Sequence, residues 1–74
     1  VFMTEENKEE VFVKNLKSLR TINKLSQKQV ADKLGVPVST YANWEQGRRM
    51  PSINEIYKLI KVFETDANEL FDIN

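Results

Sequence analysis

SQKQVADKLGVPVSTYANWEQG, residues 26–47, reads as two short helices joined by a tight turn. Ser26 with Gln29 three residues on is a capping-box pattern, so a helix is expected to start at Gln27. Val30, Ala31 and Leu34 mark one face of that helix, and Gly35 supplies the left-handed conformation that ends it. Val36 packs inward after the turn. Pro37 suits the opening of a second helix, where its missing N–H would be unpaired in any case. Tyr41 and Trp44, three apart, share one face of this second helix, and Gly47 closes it.

This spacing resembles the helix-turn-helix of the phage repressor and Cro-like proteins, the XRE family. Counting from Gln27, the apolar slots fall on Val30, Leu34, Val36, Tyr41 and Trp44, with Ala31 as the small residue at the helix crossing and Gly35 in the turn. Two helices that cross steeply through a short turn need a small side chain at the contact and a flexible turn residue. NLKSLR upstream, WEQGRRMPS downstream and the closing DANELF fit the same family, so the resemblance covers residues 13–71.

Outward from the unit, a first helix is expected from about Lys8 to Asn23. Phe12, Leu16 and Leu19 recur at helical spacing, with Val13 and Ile22 beside them. Glutamates near its start suit the positive end of the helix dipole, and Thr4 is an earlier candidate cap. Downstream, Pro51 stops the loop and Ser52 with Glu55 repeats the capping-box pattern. Ile53, Ile56, Ile60 and Phe63 then form an apolar stripe, widened by Tyr57 and Leu59. A last short helix opens at Asp66 and carries Ala67, Leu70 and Phe71. No strand signal, internal repeat or low-complexity segment is present. The fold class expected is all-α: a compact bundle of about five short helices with a helix-turn-helix, of the lambda repressor type. Residues 1–12 are read as an N-terminal extension and the start of the first helix, 13–71 as the domain, and 72–74 as a tail.

Composition narrows the function. Seventy-four residues make one domain, which buries roughly 60% of its unfolded surface. With no cysteine there is no disulfide and no thiolate metal site, and with no histidine the commonest catalytic base and metal ligand is missing. The carboxylates sit mostly at helix starts, where capping explains them. An enzyme is therefore not expected, and neither is a cofactor or a metal. No apolar run approaches a membrane span, and no signal peptide is visible. A soluble cytoplasmic protein, bacterial or phage-encoded and associated with the nucleoid, is the simplest expectation, with Met3 a candidate native start.

The net charge is zero, which is unusual for a nucleic-acid binder, but its distribution is not even. Residues 14–49 carry eight basic side chains against Asp32 and Glu45, an excess of +6; residues 1–10 sum to −3 and residues 62–74 to −4. The chain is basic across the helix-turn-helix and acidic at both ends.

The resemblance implies roles for individual residues. An arginine ending the LR pair and the glutamate of the WE pair form an internal ion pair in the family; here these are Arg20 and Glu45, although Arg20 on phosphate with Glu45 in solvent is the competing reading. Gln27 and Lys28, at the start of the first helix of the unit, would abut the DNA backbone, where free N–H groups and the helix dipole attract an anion. The plainer alternatives are an ordinary helix-starting glutamine and a solvated lysine. Val38, Ser39, Thr40 and Asn43 occupy the exposed face of the recognition helix, about residues 37–46, whose N-terminal residues would read base edges in the major groove. Asn43 can pair with adenine through two hydrogen bonds, whereas Ser39 and Thr40 could instead cap the helix or bond water. Gln46, Arg48 and Arg49, around Gly47, would run along the phosphate backbone or merely solubilise the loop. Two departures stand out: Pro37 and Val38 occupy places where the family often has Ser or Thr and Gln. Neither side chain can donate a hydrogen bond, and Val38 can touch only an apolar surface such as a thymine methyl. That shifts weight to Asn43 and to DNA shape.

The function expected is thus a sequence-specific, double-stranded DNA-binding transcription regulator, a repressor by resemblance. It would act as a homodimer on a palindromic operator, with a dimer surface on Leu70, Phe71 and Ile73. The alternative is a protein-interaction module on the same scaffold, antitoxin-like or coactivator-like. A protein partner or an effector domain beyond residue 74 is compatible with either.

Overall fold

The structure is a computed structural model and describes residues 8–71. Five helices follow one another: α1 (Lys8–Ile22), α2 (Gln27–Leu34), α3 (Val38–Glu45), α4 (Ile53–Phe63) and α5 (Ala67–Phe71). The described residues contain no strand, and none of their helices is long and apolar enough to cross a membrane. Thr4, Glu5, Glu6 and Ile73 lie outside the described residues.

Local chemistry sets the helix boundaries. Ser26 and Ser52 each accept from the backbone N–H three residues on, and the Gln29 and Glu55 side chains reach back to the cap N–H, giving two complete capping boxes. In α5 the Asp66 carboxylate accepts from the Glu69 N–H at 2.8 Å. Each such cap satisfies an otherwise orphaned donor and is worth about 1 kcal/mol. Four helices end alike. A residue in the left-handed region, Lys24 (φ 58°), Gly35 (77°), Gly47 (75°) or Glu64 (52°), turns the chain. The next N–H then bonds back five residues: Leu25 to the Arg20 carbonyl, Val36 to Ala31, Arg48 to Asn43 and Thr65 to Ile60, at 2.9–3.1 Å.

The core takes side chains from all five helices. Phe12 and Leu16 of α1, Val30 of α2, Tyr41 of α3, Leu59 of α4 and Leu70 of α5 are fully buried. Burial of one such side chain contributes about 1.5–3 kcal/mol. The helix α2 touches both α3 and α4, while α1 touches α3 and α5. Asn15 of α1 also donates its amide to the Glu69 and Leu70 carbonyls at 3.1 and 3.0 Å, tying the short last helix down through its backbone.

Three expectations are corrected. The stripe of α4 centres on Leu59 and Phe63, with Ile56 and Ile60 half-buried beside them; Ile53 and Tyr57 face outward at 72% and 63% exposure. Ile53 lies on the side of α4 away from Leu59 and Phe63, so it gains no core contact. Ile22, in the last turn of α1, is likewise 72% exposed, while Val11 is buried instead. Finally, Leu70 is completely buried within the monomer, so it cannot serve as a dimer contact; the Phe71 side chain lies outside the described residues.

Candidate nucleic-acid interface

The second helix of the unit, α3, has two unlike sides, and the inward side is built around one carboxylate. Glu45 is 2% exposed. Its Oε2 accepts from Arg20 Nε at 2.5 Å and from Tyr41 Oη at 2.6 Å. Its Oε1 accepts from Arg20 Nη2 at 3.1 Å and from Gln27 Nε2 at 3.0 Å. Arg20 also donates Nη1 to the Leu25 carbonyl at 3.0 Å. One carboxylate thus gathers donors from α1, α2 and α3 and fixes the crossing of the two helices of the unit. The fork of Arg20 meets it bidentately, the geometry for which arginine is suited.

Burial alone would push the Glu45 carboxyl up, but the donated bonds from Arg20, Tyr41 and Gln27 outweigh it and hold the group below the ordinary glutamate value. The bond to Glu45 raises the Arg20 pKa, and burial together with the Glu45 carboxylate pushes the Tyr41 hydroxyl far up. All three therefore keep their ordinary ionisation through the physiological range. The Tyr41 and Trp44 rings meet edge to face, with centroids 5.9 Å apart, and complete the inward side.

The outward side of α3 carries Ser39, Ala42, Asn43 and Gln46, with Val38 on its N-terminal edge. Ser39 and Gln46 are exposed, Val38 is 44% exposed, and Thr40, Ala42 and Asn43 are half-buried. Among the described residues, the side chains of Ser39, Asn43 and Gln46 form no hydrogen bond. The helix has no side-chain cap: Pro37 sits at the cap position in an extended conformation and contributes only its carbonyl. Immediately beyond α3, Gly47 turns the chain and presents Arg48 and Arg49, both exposed. A side chain at 47 would have room, with Val13 at 3.7 Å, so it is the positive φ that calls for glycine there.

The sequence-derived residues divide between these two sides. Arg20 and Glu45 are paired with each other. Gln27 is half-buried and donates one amide proton to Glu45, so it belongs to the inward network as well as to the start of α2. Lys28 is exposed and pairs with Asp32 one turn on, at 3.1 Å and with both side chains mostly in solvent. Such a pair contributes at most about 1 kcal/mol and yields readily to a competing anion. Two members were missed by sequence reasoning. The Tyr41 hydroxyl joins Glu45, which the i, i+4 spacing of a phenol and a carboxylate could have signalled. Ala42 joins the outward face, which its place between Val38 and Gln46 could have shown.

Comparison with known proteins places the chain in a family. The family model described as Helix-turn-helix matches residues 16–70, most of the chain. The chain belongs to the XRE-type helix-turn-helix family. It is 40% identical over 55 residues to the HTH-type transcriptional regulator AnsR of Bacillus subtilis (strain 168), a match covering 74% of this chain and 47% of that protein. It is 32% identical over 60 residues to the cryptic phage CTXphi transcriptional repressor RstR of Vibrio cholerae, covering 81% of this chain and 54% of the relative. A second Bacillus subtilis (strain 168) protein, the uncharacterized HTH-type transcriptional regulator YqaE, is also 32% identical over 60 residues, 81% of this chain and 52% of that protein. The chain spans about half the length of the curated relatives it matches. No solved structure matches it at significant similarity.

Proposed function

We propose that this chain is the sequence-specific DNA-binding module of a transcription regulator, and that it lays α3 into the major groove of duplex DNA. The observation that carries the reading is the division of α3. Tyr41, Trp44 and Glu45 lock the helix from within, while Ser39, Asn43 and Gln46 face outward without internal partners. A rigid helix with unsatisfied donors and acceptors on its outer face is the arrangement that base-edge readout requires.

The charge distribution supports the same reading. Both acidic side chains of residues 14–49, Asp32 and Glu45, pair with cations of that segment. Outside these two pairs, the segment also presents Lys17, Lys24, Lys33, Arg48 and Arg49, all exposed. Arg48 and Arg49 follow α3, and Lys28 with the free N–H groups of α2 precedes it; these groups would clamp phosphates on either side of the inserted helix. Gln27 has a second amide proton left for phosphate. We further propose that the module acts as a repressor, as a homodimer on a palindromic operator whose half-sites lie about one helical turn apart.

The protein-interaction alternative calls for an apolar patch on this face. Among the described residues the exposed large apolar side chains are Ile22, Val38, Ile53 and Tyr57, and of these only Val38 belongs to α3. The test is selection of duplexes from a random pool followed by titration across salt. Affinity should fall on a log–log plot with a slope of about −0.9 per phosphate neutralised. Absence of binding to every selected duplex at low salt would overturn the reading.

A further inference from the structure

The outward face of α3 is not uniform in chemistry. At about 100° per residue, Val38 and Ala42 lie about 40° apart on one edge, while Gln46, Ser39 and Asn43 follow around the other. One edge is therefore apolar and the other polar. The apolar edge is set where a helix would ordinarily carry polar groups. Ser26 and Ser52 open α2 and α4 with full capping boxes, but α3 opens on Pro37 and Val38, which offer no side-chain acceptor. Packing does not account for Val38 either, since it is 44% exposed, and a β-branched residue is a mediocre helix former. A position that breaks local preference without a gain in capping or burial is where a functional demand is expected.

We infer that Val38 and Ala42 form a methyl-reading edge: the module selects its site in part by contact with the C5 methyl of a thymine in the major groove. This rests on the DNA-binding reading above and adds the chemical identity of one recognised group. Thymine presents the one apolar group among the four bases on the floor of the major groove, and small apolar side chains are its complement. Pro37 sharpens the preference. Having no N–H and no polar side-chain atom, it adds no hydrogen-bonding side chain next to Val38. The polar edge, with Asn43 and Gln46, is left for hydrogen-bonded readout of neighbouring base pairs. The code of this helix is then split lengthwise, methyl on one side and amide on the other.

The test uses the full chain and a duplex selected by it from random DNA. Each thymine is replaced in turn by uracil, which deletes the methyl and leaves every hydrogen-bonding group in place. At one or two positions per half-site the wild type should lose about fourfold in affinity, the equivalent of the ~0.8 kcal/mol of one buried methylene-sized group. Val38→Ala should bind the thymine duplex more weakly and show less than a twofold thymine-to-uracil difference at the same position. Val38→Thr, which keeps the shape and one methyl, should fall between. Helical circular dichroism checks the fold of each variant, and because Val38 is exposed both should fold. If the wild type binds every uracil duplex within twofold of its parent, the methyl-reading edge is wrong while the DNA-binding reading stands. The edge is equally overturned if Val38→Ala keeps the full uracil penalty, or if the selected sites share no thymine. If no duplex is bound at low salt, both readings fall together.

Discussion

Removal of the Glu45 carboxylate is the perturbation whose cost the structure defines most closely. Glu45→Ala deletes the acceptor of four hydrogen bonds at a position 2% exposed. It strands the Tyr41 hydroxyl in the core, one amide proton of Gln27, and the Arg20 guanidinium, whose side chain is only 20% exposed. Breaking one partner out of a buried ion pair costs about 3–5 kcal/mol, because the remaining charge is left uncompensated. Arg20 keeps its bond to the Leu25 carbonyl and some access to water, which places the expected loss near the lower end, about 3 kcal/mol. A domain of this size holds only about 3–5 kcal/mol in total, so the variant should retain about 0–2 kcal/mol at 25 °C. Urea denaturation followed at 222 nm measures the loss. A decrease of less than about 1 kcal/mol, the value of an exposed pair, would refute the claim that this carboxylate is the buried joint between α1, α2 and α3.

The same group gives the domain a defined acid limb. The Glu45 pKa is lower in the folded state than in an unfolded chain. Its contribution is therefore fully present above the unfolded glutamate value of about 4.3 and is lost as pH falls through the folded value. Wild-type stability should decline below about pH 4.5. Glu45→Gln, which cannot titrate, should start lower at neutral pH and decline less steeply on acidification.

Three further outcomes are expected. Asn43→Ala should cost about 1–3 kcal/mol on the best site and relax preference at one base pair, whereas Lys28→Ala should weaken all sequences alike and reduce the salt slope by about one unit per subunit; competition titrations against single-base operator variants separate the two. Glu64→Gly, at an exposed helix end with φ 52°, should stabilise by about 0.5–1 kcal/mol by relieving left-handed strain, read as a higher urea midpoint, and an unchanged or lower midpoint would count against that strain. Ser52→Ala should cost about 1 kcal/mol through loss of the capping box that opens α4, measured in the same way.

The parts of the fold written in short-range signals were legible in the sequence. The starts of α2 and α4 follow from Ser26 with Gln29 and Ser52 with Glu55, since a capping box is a local interaction with a fixed spacing. The left-handed ends of α2 and α3 follow from Gly35 and Gly47. The equivalent ends of α1 and α4 fall on Lys24 and Glu64, residue types that carry no such mark in the sequence; after Lys24 the chain packs Leu25 against the core. Periodicity identified α4 as amphipathic but misjudged its buried face. Ile53, Ile56, Ile60 and Leu59 are alike in hydrophobicity, and only the position of the neighbouring helices decides that Leu59 is enclosed and Ile53 is not. For the same reason Leu70 read as a surface contact although it closes the monomer core.

In the candidate interface, the features read best were orientations that follow from opposition on one helix. Once Tyr41 and Trp44 point inward, Ser39, Asn43 and Gln46 must point outward. Joint roles were harder to see. Gln27 was assigned to phosphate by position, yet its amide also donates to Glu45, a bond that spans 18 residues and that no local pattern reveals. That bond has a mechanical consequence. The residue at the start of α2, where a phosphate would sit, is tied to the carboxylate that fixes the inner side of α3. On the proposed DNA-binding reading, that bond would couple a phosphate contact at the start of α2 to the orientation of α3, and a fixed relative placement of the two is what an amide on adenine or a methyl against valine needs in order to discriminate between sequences.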